Sequence, residues 1–363
     1  MLLEQLLENS AQCCPDKVAL VTPQRRWTYA QLESCANDLA HALLDYGIQR
    51  GDRVVIYYPN SAEHVVALFA ALKIGAVFVS ANTALRPAQL DYLLCDSQAS
   101  AIVLGSQRLP RLASVLEGVG DLRVKIVCGE PCTEGLAPDV PLHPFVLDES
   151  CPDTGPPPKR HIDADLAALI YTSGSTGPPK GVMMTHLNML TAVNAINQYI
   201  GNTPDDIVFD GLPISFDVGL YQILLPFQAG ATVVLPERVL VPQDVARWLD
   251  AERVTGFPGV PTLFTLFLRA DLSQYDLSSV RYLCNTGDAL LPAMQDRLRK
   301  VLPNARIFLM YGLTECKRVS YLEPEQAQAR PTSVGKAIPN TEAGGVDEDG
   351  QPVGSGVVGD QVV

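Results

Sequence analysis

The densest chemistry in the sequence is the run Tyr171-Thr172-Ser173-Gly174-Ser175-Thr176-Gly177-Pro178-Pro179-Lys180-Gly181. Its glycines let backbone amides come close to an anion, its hydroxyls add donors, and Lys180 adds charge-assisted hydrogen bonds. The ligand suited to such a loop is a polyphosphate. It is not a Walker loop, because Pro179 and not glycine stands before Lys180. Gly, Ser, Thr and Pro also make up ordinary loops. This loop differs in following an apolar strand pattern, Leu166 to Tyr171, in an alternating α/β region where ligands collect at strand ends.

Three more runs stand downstream: Asn285-Thr286-Gly287-Asp288-Ala289-Leu290, Met310-Tyr311-Gly312-Leu313-Thr314-Glu315 and Gly335-Lys336-Ala337-Ile338-Pro339-Asn340. Together with the loop they resemble the signatures of the AMP-forming acyl-CoA synthetases, luciferases and peptide-synthetase adenylation domains. The resemblance covers essentially all of residues 1–363; Asn285 to Leu290 departs from the commoner Gly-Gly-Glu form, and Thr341 to Asp347 is irregular where a strand is normally apolar. It implies that Thr172, Ser173, Gly174, Ser175, Thr176, Gly177 and Lys180 clamp the β- and γ-phosphates of ATP. It further implies that Gly287, Asp288 and Ala289 flank the adenine beside Met310, Tyr311 and Gly312, with Tyr311 stacked on the base. Thr314 then contacts the α-phosphate and Glu315 holds Mg²⁺, so Lys180, Thr314 and Glu315 are the implied catalytic groups. Carboxylate attack on the α-phosphorus brings two anions together, so such a site must neutralise charge while holding the groups in line.

The acid pocket of that family begins at Ser215-Phe216-Asp217-Val218-Gly219-Leu220-Tyr221. In its amino-acid-activating members an aspartate at the Asp217 position pairs with the substrate ammonium, which implies an amino acid. The other reading of Asp217 is a helix cap, since Asp is favoured in a first turn and the helix dipole welcomes it. Val218, Tyr221, Pro258, Cys284, Thr286, Met310, Arg318 and Val319 match the remaining pocket positions and leave a small, mostly apolar chamber. Arg318, if buried, needs an anion: Asp217 itself or a substrate carboxylate. The run Thr314 to Tyr321 is similar to stand-alone ligases that load proline or related acids onto carrier proteins. The activity implied is ATP-dependent adenylation of a small carboxylic acid, an amino acid such as proline, giving acyl-AMP and pyrophosphate. The acyl group then passes to a carrier-protein thiol. A CoA ligase for a small aliphatic or aromatic acid, and a nucleotide-binding module without turnover, are the competing readings.

These groups need a scaffold, and the sequence supplies an alternation of helix and strand patterns that implies βαβ crossovers and mainly parallel sheets. A capping box at Thr28 to Gln31 opens a helix to about Tyr46; strands are expected at 53–58, 76–80, 101–104 and 124–128, with helices between. Residues 130–161 are rich in proline and polar residues and read as a linker. Alternation resumes with strand 166–171, a helix from Met184 to Ile200, strand 207–211 and helix 216–227. The expected division is a first α/β lobe over 1–150, a linker over 151–165, a second lobe over 166–320 and a partial β subdomain over 321–363. Both lobes are expected to be doubly wound. Family members continue into a smaller mobile domain, carrying a further lysine, which is expected to be missing here.

Length and composition agree. The 363 residues, 47% hydrophobic and 18% charged, suit a globular protein of more than one lobe, and the net charge of −13 argues against nucleic acid. The N-terminus has Glu4 and Glu8 where a signal peptide needs base, and no run reaches the roughly 18 apolar residues of a membrane span. Nine scattered cysteines, with only Cys13–Cys14 and Cys128/Cys132 close in sequence, read as reduced thiols in a cytoplasmic enzyme.

Overall fold

The computed structural model describes residues 1–129, 140–147, 151, 154–172, 177–239, 241–354 and 356–363. Two large sheets dominate them. One, of seven strands, has the parallel core Val124–Cys128, Ala99–Gly105, Arg53–Tyr57, Val77–Ser80 and Leu166–Thr172. The other, of nine strands, has the parallel core Arg306–Tyr311, Tyr282–Asn285, Gly256–Gly259, Ile207–Phe209, Thr232–Val234 and Val18–Val21. Antiparallel strands flank these cores, Lys180–Thr185 on the first sheet and Arg26–Thr28 and Ser320–Leu322 on the second, with Lys336–Ala337 at the edge beyond Ser320–Leu322. A separate antiparallel pair joins Gly344–Val346 to Asp360–Val362.

Helices Tyr29–Asp45, Ala62–Lys73, His186–Ile200 and Asp217–Ala229 share one core cluster with strands of both sheets, so they form a layer between them. Helices Pro87–Asp96 and Leu109–Gly118 cover the outer face of the first sheet, and Pro242–Ala251, Pro261–Phe267 and Pro292–Val301 the outer face of the second. The fold is thus the expected α/β arrangement of mainly parallel sheets. Sheets covered on both faces need near-continuous apolar strands, and Val54, Val55 and Ile56 or Val124, Ile126 and Val127 are all fully buried. The Thr28 capping box forms as the sequence reads, and Ser61 and Thr185 cap the next two buried helices.

Four expectations change. The helix placed from Met184 starts at His186, because Lys180–Thr185 pairs antiparallel with Leu166–Thr172 and satisfies its backbone there. The stretch taken as a linker holds a strand, Leu142–Phe145, and its Pro144 is tolerated because the strand lies at the sheet edge. Sheet membership does not follow the boundary at 151–165: residues 18–28 belong to the second sheet and 166–185 to the first. Finally, the cysteines are not all free thiols. Cys35, on the buried face of its helix, pairs with Cys151, which Ser34 Oγ fixes by donating to the Cys151 carbonyl at 3.1 Å. Cys132 lies outside the described residues.

The segment after Cys151 is strapped down rather than free. His41 Nε2 lies 3.0 Å from the Gly155 carbonyl, Lys159 pairs with Glu8 at 2.6 Å, and His161 with buried Glu4 at 3.0 Å. No helix among the described residues is long and apolar enough to cross a membrane.

Candidate functional site

The hairpin Leu166–Thr172 and Lys180–Thr185 carries the phosphate-type loop at its tip, with Thr172 opposite Lys180 in register. The ends of the loop are thereby fixed although Ser173, Gly174, Ser175 and Thr176 lie outside the described residues. Tyr171 donates its hydroxyl to Asp96 Oδ2 at 2.6 Å and Tyr92 donates to the Pro179 carbonyl at 3.0 Å, so the helix Pro87–Asp96 braces both arms. Gly177 and Lys180 are exposed.

On the other sheet, the ends of Tyr282–Asn285 and Arg306–Tyr311 open a pocket of about 410 Å³. It gathers Gly287, Asp288, Ala289, Met310, Tyr311 and Gly312 from two of the sequence runs. It also includes Leu313 from the second run and the segment Pro331 to Val334, which no motif marked. Its floor is held from within: Asn285 Nδ2 donates to the Asp288 carbonyl at 2.8 Å and the Ala289 amide donates to Asp288 Oδ1 at 2.7 Å. Gly287 takes φ +82°, a left-handed conformation that favours glycine. Just beyond the pocket Thr314 is half-buried, and Glu315 is an exposed carboxylate with no hydrogen-bond or ion-pair partner among the described residues. A free carboxylate of that kind is an oxygen donor suited to Mg²⁺.

Beside the pocket lies the candidate acid site. Asp217 is the first residue of helix Asp217–Ala229, whose N-cap is Phe216, so the capping alternative does not hold as a side-chain bond. Gly219 lets this helix seat on the preceding turn, since a Cβ there would stand 2.3 Å from the Pro213 carbonyl. The Asp217 carboxylate faces Arg318 instead, with Nη1 to Oδ2 at 3.5 Å, and Arg318 is only 5% exposed. Lys317, not singled out by any motif, is also buried, at 3% exposure, with Nζ 5.5 Å from the centre of the Tyr221 ring. Lys317 and Arg318 lie on the turn that leads into the strand Ser320–Leu322; Lys317 takes φ +59°, and both side chains are buried. Gly312 makes room for this kink, because a Cβ there would meet the Lys317 carbonyl oxygen at 1.9 Å.

Burial lowers the Lys317 pKa to about 8, against the pull of Asp217, with Arg318 adding repulsion. It raises the Tyr221 phenol, and the Arg318 charge opposes that rise. Burial likewise raises the Cys284 thiol, again opposed by Arg318, so Cys284 is an inert wall and not a nucleophile. Lys317 Nζ, Arg318 Nε, Tyr221 Oη and Ser320 Oγ have no hydrogen-bond partner among the described residues. Tyr199 stacks on Tyr321 with ring centres 4.0 Å apart and donates to Met310 Sδ at 3.5 Å, which ties this cluster to the 410 Å³ pocket. Pro258 sits opposite Cys284 in register, and Thr286 and Val319 are buried nearby in sequence. Val218 packs instead against the outer cluster that contains Phe209 and Leu212, away from the layer holding Tyr221.

A family model described as AMP-binding enzyme matches residues 7–363. The chain belongs to that family. It is 30% identical to the putative acyl-CoA synthetase YngI of Bacillus subtilis, over 93% of this chain and 66% of that protein, so it spans just under two thirds of that relative's length. Among solved structures it resembles the anthranilate CoA ligase AuaEII in complex with anthranoyl-AMP, at TM-score 0.89 and 28% identity, covering 99% of this chain and 69% of that one. It also resembles VinN with L-aspartate, at TM-score 0.81 and 28% identity, covering 95% and 84%.

Proposed function

We propose that the protein binds ATP with Mg²⁺ and adenylates a small carboxylic acid. The acid's carboxylate oxygen bonds to the α-phosphorus, the bond from that phosphorus to the bridging oxygen breaks, and pyrophosphate leaves with the electron pair. The observation that carries the reading is the pocket in which Gly287 to Ala289 and Met310 to Gly312 converge beside a buried charged cluster. In this reading Tyr311 and Gly287 to Ala289 hold the adenine, while Thr172 to Gly177 and Lys180 hold the β- and γ-phosphates. Thr314 meets the α-phosphate and Glu315 holds Mg²⁺, which supplies charge neutralisation. The acid lies over Tyr221, Cys284, Thr286, Pro258 and Val319, within reach of Asp217 and Arg318.

The amino-acid reading takes Asp217 as the ammonium's partner, and VinN, solved with L-aspartate, supports a polar amino acid more than proline. The charged wall of Lys317 and Arg318 points the same way, because a proline ring offers it nothing. The acyl acceptor is a carrier-protein thiol or CoA; AuaEII and YngI are described as acting with CoA. ATP–pyrophosphate exchange across a panel of small acids tests the proposal: acid-dependent exchange is the expected result. Exchange with no acid in the panel, together with intact ATP binding, would leave a nucleotide-binding module.

A further inference from the structure

Resting on the adenylation reading, we propose that Asp96 is a positioning residue for nucleotide binding: its carboxylate, through Tyr171 and beside Tyr92, fixes Thr172 and Lys180 where the β- and γ-phosphates of ATP arrive. The Tyr171 hydroxyl donates to Asp96 Oδ2 at 2.6 Å. The Tyr92 hydroxyl stands 3.4 Å from Asp96 Oδ1 and 3.0 Å from the Pro179 carbonyl, and its single proton goes to the nearer acceptor. One turn of the helix Pro87–Asp96 thereby holds both arms of the hairpin. The held residues, Tyr171 and Pro179, immediately precede Thr172 and Lys180, which pair with each other in register.

Lys180–Thr185 is the edge strand of its sheet, so the hairpin has no further strand on that side to steady it. A two-stranded tip is marginally stable in water, and ATP would otherwise have to order it on arrival, at a cost to affinity. The Tyr171 ring crosses the other arm at Gly181, its register partner, where an added Cβ would stand 3.2 Å from the ring carbons. The last glycine of the run is thus open space for the ring whose hydroxyl reaches the helix. Asp96 is the final residue of that helix, where the dipole disfavours an acid, and its carboxylate turns to the hairpin instead. Burial and the bond to Asp96 both raise the Tyr171 phenol pKa, so the hydroxyl keeps the proton it donates. The role is one of position, since no atom of Asp96 needs to touch the nucleotide.

The test is calorimetric titration of the full chain with ATP and with AMP, which shares the adenine but lacks the β- and γ-phosphates. Asp96→Ala and Tyr171→Phe each weaken ATP about threefold to tenfold, the scale of one hydrogen bond, and leave AMP within about twofold. The double variant loses no more than either single one, because both remove the same bond. Asp96→Asn, which keeps an acceptor for the phenol, recovers most of the loss. A merely structural role would weaken both nucleotides alike, in step with a fall in melting temperature, and that result overturns the proposal. So do additive losses in the double variant. If Asp96→Ala fails to fold, Tyr171→Phe, which keeps the ring over Gly181, decides alone. No ATP binding by the unmodified protein would overturn the adenylation reading and this role together. ATP binding that is indifferent to both residues overturns the role alone and keeps the reading.

Discussion

The floor of the 410 Å³ pocket and the wall of the candidate acid site flank strands two places apart in the same sheet, yet they are built oppositely. The floor, Asn285 to Ala289, closes most of its hydrogen bonds on itself and leaves Asn285 Oδ1 as its buried orphan. The wall, Lys317 to Ser320 with Tyr221, leaves Lys317 Nζ, Arg318 Nε, Ser320 Oγ and Tyr221 Oη unmatched. A self-satisfied loop is rigid before its ligand arrives; a buried polar cluster without partners is complete only with one. The contrast assigns shape recognition to the floor and charge recognition to the wall.

The largest way to break this contrast is Asp217→Asn. It takes from Arg318 the carboxylate it faces and from Lys317 its stronger carboxylate neighbour, which costs about 3–5 kcal/mol, and a melting curve should shift down accordingly. An unchanged melting temperature would mean that the wall is hydrated rather than charged. If Asp217 also holds a substrate ammonium, exchange with an amino acid falls by about two orders of magnitude and exchange with its desamino analogue falls less. Lys180→Ala acts on neither region; it removes a charge-assisted contact worth about 1.5–3 kcal/mol, so ATP affinity by calorimetry should fall tenfold or more. Unchanged affinity would take the hairpin out of the site.

A smaller effect is the pH dependence of the wall. Lys317 faces Asp217 and Tyr221 on one helix and Glu315, Cys316 and Arg318 on its own segment, and burial sets its pKa near 8. A lowered lysine pKa means that the ammonium is present below about 8 and lost above it. Where the ammonium meets the acid, affinity should therefore be full at neutral pH and fall by up to about tenfold two units higher. A flat profile would remove Lys317 from contact with the acid. The smallest effect belongs to the floor: Asn285→Ala loses one hydrogen bond, about 1 kcal/mol, and should loosen AMP without altering any preference between acids.

The same asymmetry explains what the sequence disclosed. The floor and the hairpin are runs of glycines, hydroxyls and short polar residues in fixed order, and such runs are visible because their spacing is local. Helix 29–45 and the strands 53–57 and 124–128 were equally legible, since capping and apolar periodicity are local too. Arg318 was marked as a pocket position but its neighbour Lys317 was not, because its inward turn depends on a left-handed backbone packed over Gly312, which no local pattern records. Nor was the exchange of strands between the sheets, since nothing in Val18–Val21 or Lys180–Thr185 records which distant strand each will join. The pairing of Cys35 with Cys151 across 116 residues is long-range in the same sense.

The central claim, that the acid attacks the α-phosphorus of ATP, is tested most directly with an acid labelled in its carboxylate with heavy oxygen. The protein is incubated with ATP, Mg²⁺ and the labelled acid, the products are released with hydroxylamine, and the nucleotides are weighed by mass spectrometry. The account predicts one heavy oxygen in AMP, equal amounts of pyrophosphate, and the acid recovered as its hydroxamate. Heavy oxygen in inorganic phosphate with release of ADP would place the attack at the γ-phosphorus and contradict it.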